Sequence, residues 1–361
     1  MNIVFEVEVK NLQEGDSVFI TGNRPELGDW QPGAVMLEPI SNNLWVLNVS
    51  IPDNVPLEYK FTLGSWEREA IHPDGSNLEN FTLAVSQSET IRHTLTNWKA
   101  EGAPSEFVTG KVAYHLNIAG DNIEPRHIIV WLPPDYDDNT DKRYPVLYAH
   151  DGQNLFDPYT SLIGSDWGVD EALTELIGNG SCEPVIVVGM YNTDDRSDEY
   201  GLTQKGNDYQ RFVVHTVKPL IDSTYRTKAG RDDTAVMGSS MGGLVSFLLA
   251  WNYPGVFKQA ACLSPAFFTH AVDLVREADA LPEGLRIYMD NGTAGELEQK
   301  LLVMCDDMME ALADKGYRSG HADFEWFLDE GAEHNEPAWA ARVDRPLLFM
   351  FGTDSSGPTE P

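Results

Sequence analysis

A chain of 361 residues with 42% hydrophobic, 10% aromatic and 23% charged residues has room for two or three domains and enough apolar surface to fold, which excludes disorder as its main state. Asp and Glu number 57 against 25 Lys and Arg, a formal net charge of −32, and a field of that sign repels phosphate backbones and anionic lipid. Neither nucleic acid nor a membrane is an expected partner, and the acidity reads as a solvated surface.

The first segment, MNIVFEVEVK, alternates apolar and charged residues, the pattern of a half-buried strand and not of a signal peptide. Nowhere does an unbroken apolar run reach the ~18 residues of a membrane span, so the expected location is the cytoplasm unless a leader has been removed. Short alternating runs follow in SVFITG (17–22), LWVLNVSI (44–51) and LEYKFTL (57–63), set apart by Gly, Pro, Asn and Asp. Together they predict a small β-sandwich over residues 1–100. The Gly-Ala-Pro-Ser run at 102–105 reads as a linker, and the second domain is assigned to 101–361.

From there apolar strands alternate with helical periods, the rhythm of an α/β fold with a parallel sheet. Strands are predicted at 127–134, 144–152, 184–192, 234–238, 260–265, 285–292 and 324–330, with helices at 208–225 and 296–316. The last of these carries Leu297, Leu301, Met304, Met308 and Leu312, a stripe that calls for packing rather than a cofactor. Cys182, Cys262 and Cys305 are too few and too scattered for a disulfide framework or a zinc site.

Between the strand TAVMG and the helical run LVSFLLAW stands Gly238-Ser239-Ser240-Met241-Gly242-Gly243. Strand, turn and helix around Gly-x-Ser-x-Gly form the context of a nucleophile elbow, in which small neighbours let a strained turn present the serine oxygen. Ser240 is the expected nucleophile. A serine hydroxyl is weak at neutral pH and needs a base within hydrogen-bond reach, most often histidine. Among nine histidines, the chain order of serine, acid, then base leaves His321 and His334, and His334 is preferred because it lies in the loop just beyond the last strand. The acid should follow the strand LRIYMDNG. Asp290 and Glu296 compete there: Glu296 lies past the Gly-Thr-Ala-Gly turn and is preferred, whereas Asp290 still belongs to the strand end. Two backbone donors must face the developing oxyanion, and Met241 supplies one. Gln153, in the His150-Asp151-Gly152-Gln153 turn after YPVLYA, is assigned the other.

The segments HDGQNLFD (150–157), DWGVDEAL (166–173), RSDEY (196–200), GSSMGG (238–243), YMDNGT (288–293) and GAEHNEPAW (331–339) closely resemble, in order, the putative-esterase branch of the α/β-hydrolases. That branch holds carbohydrate esterase family 1, the enterochelin esterases and the mycolyltransferases. The resemblance covers roughly residues 107–352. It implies Ser240 and His334 as catalytic residues and an oxyanion donor in the Asp151-Gly152-Gln153 turn; the mycolyltransferases, with Glu after a Gly-Thr-x-x turn, point to Glu296.

Four tryptophans, Trp30, Trp45, Trp66 and Trp98, lie in the first 98 residues. An aromatic face binds a sugar ring through its apolar C–H surface but serves equally in a core, and two of the four are assigned to each role. The segments VFITGNRPELGDW (18–30), LEYKFTLGSWE (57–67) and NLENFTL (77–83) resemble a starch-binding-type carbohydrate-binding module of family 20. That resemblance implies sugar contacts at Trp30, Lys60, Trp66 and Asn80.

The expectation is therefore a serine carboxylesterase that needs no metal or organic cofactor and acts on a small-molecule or carbohydrate ester, of feruloyl or acetyl type. A siderophore esterase of enterochelin type, a non-catalytic carbohydrate-binding scaffold and an acyltransferase are the alternatives. Trp167, Arg196, Glu199, Tyr200 and Trp339 are divided between pocket wall and packing.

Overall fold

The computed structural model describes residues 1–12, 15–41, 43–53, 55–72, 78–99 and 107–353. The chain forms two compact units, Met1–Glu106 and Phe107–Pro361, so the second unit begins six residues later than the sequence suggests. The Gly-Ala-Pro-Ser segment lies outside the described residues.

In the first unit the alternation of the N-terminal segment becomes a strand, Asn2–Val9. Ile3, Phe5, Val7 and Val9 are buried, as a period of two requires of a strand with one face on a core. This strand pairs antiparallel with Leu44–Ser50 and parallel with Glu89–Leu95. A second sheet orders Val35–Met36, Phe19–Gly22, Pro56–Thr62 and Phe81–Ala84. Phe5 from the first sheet meets Tyr59 from the second edge to face, ring centroids 5.0 Å apart, so the unit is a β-sandwich with an aromatic core. Trp45 is buried in that core and Trp98 packs against it.

The second unit is built on an eight-stranded sheet, its strands numbered here in chain order: β1 Lys111–Gly120, β2 Ile123–Leu132, β3 Val146–His150, β4 Ile186–Met190, β5 Thr234–Ser239, β6 Gln259–Leu263, β7 Arg286–Gly292 and β8 Phe324–Asp329. The spatial order is β1-β2-β4-β3-β5-β6-β7-β8. β2 runs antiparallel to β1 and β4, and the other pairs are parallel. Alternate residues feed two cores: Val130, Val146, Tyr148 and Val188 pack on one face, and Ile129, Leu147 and Val187 on the other. Helices on both faces explain why β3 to β6 read as unbroken apolar runs.

Two differences from the sequence reading have local causes. β1 is an edge strand with six of its ten residues part-buried and no apolar alternation, which is why periodicity missed it. The helix expected over 208–225 is three pieces, Gln204–Phe212, a wide π turn at Val213–Val217 and Lys218–Thr224. Pro219, which has no N–H to donate, follows the wide turn. Among the described residues no helix is long and apolar enough to cross a membrane.

Candidate active site

The site grows from the carboxyl end of the parallel sheet, where β5 stops at Ser239 and the helix Met241–Asn252 starts two residues later. Ser240 makes that reversal alone, with φ 55° and ψ −121°, a backbone region that residues with a Cβ rarely occupy and that persists only where the surroundings impose it. Its N–H donates to Leu263 O at 2.9 Å and its own carbonyl accepts from Ala266 N at 3.0 Å, both on the segment from β6. Gly238 is required for the elbow, because a Cβ there would lie 2.6 Å from the Gly242 carbonyl carbon.

His334 comes from the loop after β8, which is fastened to the end of β7. Ala332 O accepts from Thr293 N at 3.1 Å and Ala294 N at 2.9 Å, and Gly331 N donates to Thr293 Oγ1 at 2.8 Å. The His334 ring meets Trp339 edge to face at 5.0 Å, and Trp339 packs on Trp167 at 5.5 Å. His334 Nδ1 lies 2.9 Å from Glu298 Oε1. Glu298 is fully buried and its other oxygen accepts from Gly292 N at 3.1 Å. Burial pushes its carboxyl up, but hydrogen bonds from His334, Ser264 and the Gly292 N–H outweigh that and hold it below the usual carboxylate range. An ionised Glu298 accepts Nδ1–H and leaves Nε2 as the free acceptor of the imidazole.

The carboxylate that meets His334 is therefore Glu298, neither of the two that the sequence suggests. Glu296 is 84% exposed and pairs with Lys300 four residues on, at 2.7 Å. Both glutamates belong to the helix Gly295–Asp314, and two residues at about 100° each put them on opposite sides of it. Asp290 is engaged elsewhere: its Oδ1 accepts from Ser264 N and from Arg342 Nη2, each at 3.1 Å. Burial raises the Asp290 carboxyl against the pull of Arg342. His321 is exposed, ahead of β8. A usable signal existed: a lone carboxylate at 298 continues the buried stripe of Leu301, Cys305, Met308 and Leu312, whereas Leu297 is 50% exposed.

Gln153 and Met241 occupy the first turns of helices, Gly152–Asn154 and Met241–Asn252, where backbone N–H groups have no carbonyl behind them in the helix. Gly152 is pressed against β4 so closely that a Cβ would sit 2.5 Å from the Gly189 carbonyl carbon. Ser240 and His334 open into one cavity of about 310 Å³. Leu162, Ile163 and Trp339 form its apolar side, and Asp151, Asn154, Asn192, Arg196 and Glu336 its polar side. Leu162 and Ile163 are 82% and 54% exposed, so the apolar side reaches the mouth. Glu336 is buried, accepts from Asn154 Nδ2 at 3.3 Å, and burial raises its carboxyl. Of the residues divided between wall and packing, Arg196 and Trp339 line the cavity. Trp167 buttresses Trp339, and Glu199 binds Arg126 in a fully buried pair at 2.6 Å.

Residues 123–350, more than half of the chain, match the family model described as Putative esterase. The chain belongs to that esterase family. It is a hydrolase acting on ester bonds. Residues 1–99 of this esterase match the starch binding domain model. It is 25% identical over 224 residues to an endo-1,4-beta-xylanase/feruloyl esterase of Xylanibacter ruminicola, covering 58% of this chain and 27% of that one. Among solved structures it is similar to a ferulic acid esterase, at 20% identity and a TM-score of 0.54 over 67% of this chain and 98% of the other. An enterobactin esterase from Shigella flexneri matches at 14% identity and a TM-score of 0.56, over 96% and 92%. At such identities the structures share the fold.

In the esterase's first unit, Trp30 and Trp66 are half-buried and lie 6.4 Å apart with their planes at 33°. Trp30 is held in a left-handed conformation, φ 62°. Asn80 is exposed. Lys60 is different: it is 8% exposed and its Nζ donates to Glu69 Oε2 at 2.8 Å, so the structure gives it a place inside the sandwich.

Proposed function

We propose that this esterase cleaves acyl esters of carbohydrate hydroxyls, of feruloyl or acetyl type, through an acyl-enzyme on Ser240. The observation that carries this reading is the 2.9 Å contact of His334 with buried Glu298 beside the cavity that Ser240 and His334 share. Ser240 Oγ adds to the ester carbonyl while His334 Nε2 takes its proton, and Glu298 steadies the imidazolium. The N–H groups of Gln153 and Met241 receive the oxyanion. Collapse breaks the carbon–oxygen bond to the alcohol, which leaves with the proton from His334. Water then attacks the acyl-enzyme by the same route, and the acid departs.

Support for a carbohydrate ester comes from the starch-binding-domain match, the half-buried Trp30–Trp66 pair and the named activity of the Xylanibacter relative. A cavity of about 310 Å³ is at the small end of ligand sites, and its apolar side suits an aromatic or short acyl group. A siderophore ester is less well served: catecholates are anionic, Asp151 and Glu336 face the cavity, and Arg196 is committed to Asp151. The test is hydrolysis of methyl ferulate and p-nitrophenyl acetate by wild type and Ser240→Ala, with folding followed by circular dichroism. Activity that falls by about 10³-fold or more in the folded variant is expected. Equal turnover by both proteins would overturn the assignment of Ser240.

A further inference from the structure

The turn after β3 holds a charge that the reaction above leaves unused. Asp151 is 2% exposed and adopts a left-handed backbone, φ 57° and ψ 48°. Its carboxylate accepts from Arg196 at two points, Nε to Oδ1 at 2.7 Å and Nη2 to Oδ2 at 2.8 Å. Asn192 Nδ2 adds a third hydrogen bond to Oδ1 at 2.6 Å, and the Asn192 backbone N–H donates to Gln153 Oε1 at 3.2 Å. Residues 192 and 196 thus grip the turn on both sides of Gly152. The same carboxylate leans on the nucleophile elbow, for a Cβ at Gly242 would stand 3.2 Å from Oδ2.

A carboxylate wedged between the oxyanion turn and the elbow opposes the very charge that the transition state must develop there, unless a cation cancels it. Arg196 is the cation in contact with it. Its guanidinium also stands 5.1 Å from the Tyr200 ring centroid, and Tyr200 Oη accepts from the Asp151 N–H at 3.3 Å. The two-point edge of the guanidinium is occupied by Asp151, so that edge does not serve a substrate anion.

We propose that Arg196 is a positioning residue for the oxyanion turn: its paired hydrogen bonds hold the left-handed Asp151 that aims the Gln153 N–H, and its charge cancels a carboxylate beside the nascent oxyanion. The inference rests on the serine-esterase reading. A merely structural arginine would change stability, and a substrate-binding arginine would change KM for anionic esters. A positioning and charge-balancing arginine changes kcat on every ester.

The experiment compares the full chain, wild type and Ser240→Ala, with Arg196→Gln, Arg196→Lys and the double variant Asp151→Asn/Arg196→Gln. The probes are neutral p-nitrophenyl acetate and anionic p-nitrophenyl hemisuccinate, with thermal melting alongside. Arg196→Gln is expected to lower kcat about 30-fold on both esters with KM held within about twofold. The double variant, rid of the carboxylate charge, should recover at least about fivefold in kcat. Arg196→Lys restores charge without the two-point geometry and falls between. Arg196→Gln with kcat within about twofold of wild type, or with its loss confined to KM for the hemisuccinate, overturns the proposal. A double variant no faster than Arg196→Gln overturns the charge-cancelling part. Should Arg196→Gln fail to melt cooperatively, Arg196→Lys carries the same kcat-against-KM comparison. Wild-type hydrolysis that survives Ser240→Ala would instead sink the serine-esterase reading itself, an outcome separate from an inactive Ser240→Ala beside a fully active Arg196→Gln.

Discussion

The two units put polar side chains to different uses. In the sandwich the core is mostly apolar and aromatic, with Lys60 and Glu69 a buried ion pair within it, and three of the residues proposed to touch sugar, Trp30, Trp66 and Asn80, are half-buried or exposed. In the α/β unit the polar groups of interest sit inside: Glu298, Asp151, Asp290, Glu199 and His150 are 2% exposed or less. Buried polar groups are expensive unless partnered, and here backbone N–H groups hold Glu298 and Asp290 while the side chains of Arg196, Asn192 and Arg126 hold Asp151 and Glu199. Such partners fix geometry, which suits bond breaking; a surface pair of rings tolerates adjustment, which suits holding a polymer.

The sharpest way to break this contrast is at the two glutamates of the helix Gly295–Asp314. Glu298→Gln should lower kcat by about 10³-fold, because an amide no longer stabilises the imidazolium. Glu296→Gln, which removes only an exposed ion pair, should stay within about twofold. Equal losses would mean that burial and the 2.9 Å contact do not single out the acid. Next in size is the sandwich: Trp30→Ala/Trp66→Ala should weaken retention on soluble starch or maltooligosaccharide by about tenfold and leave p-nitrophenyl acetate hydrolysis unchanged. An unaltered affinity would remove the sugar role from this pair.

Smaller effects come from pH. Burial and the neighbouring Glu171 push the Asp170 carboxyl up to about 9. Asp166, Asp170 and Glu171 bring oxygens within 4.8 Å of one another, and a proton on Asp170 relieves that crowding. The folded state then binds this proton more tightly than the unfolded chain, so stability is lost as pH rises from the ordinary carboxylate value towards 9. Asp170→Asn should flatten that loss and raise Tm at pH 8 by roughly 3 °C; a lower Tm at pH 8 would show the carboxylate to be charged and useful. In the sandwich, burial lowers His93 to about 4, with its Nε2 3.0 Å from Tyr59 Oη. The unfolded chain takes up this proton first, so stability falls as pH drops from about 6.5 towards 4. His93→Gln should make the acid limb of a melting-temperature profile shallower by roughly 1–2 °C across that window.

What could be read from the sequence was whatever local chain geometry enforces. The elbow at Ser240 was legible because Gly238 and its neighbours are backbone requirements written in adjacent letters, and the place of His334 in the same cavity because its loop follows the last strand. Which carboxylate meets His334 depends on helix phase. The preference for Glu296 leaves its side chain free to turn to the histidine at the start of the expected helix, whereas the helix has begun at Gly295 and fixes its direction. From that start, residue 296 faces water and residue 298 faces the imidazole. Lys60 differs from the expected exposed contact for a related reason: a strand residue's side is set by register, and here the 60 position faces Glu69. The Arg196–Asp151 clamp joins segments 45 residues apart, and no short-range pattern encodes that meeting.

Hydrolysis of an ester turns a neutral molecule into an acid that ionises at neutral pH. Arg196, the arginine lining the cavity where this happens, is already paired with Asp151, and the chain around it has a net charge of −32. That field is nearly indifferent to the arriving ester but acts on the departing carboxylate, so it pushes the reaction's own product outward. Turnover on this reading is directional: entry is left to apolar contact at Leu162 and Ile163, and exit is driven by charge. Inhibition by free ferulate should accordingly be weak at low ionic strength and tighten with salt, as screening shortens the reach of the field to about 10 Å at 0.1 M.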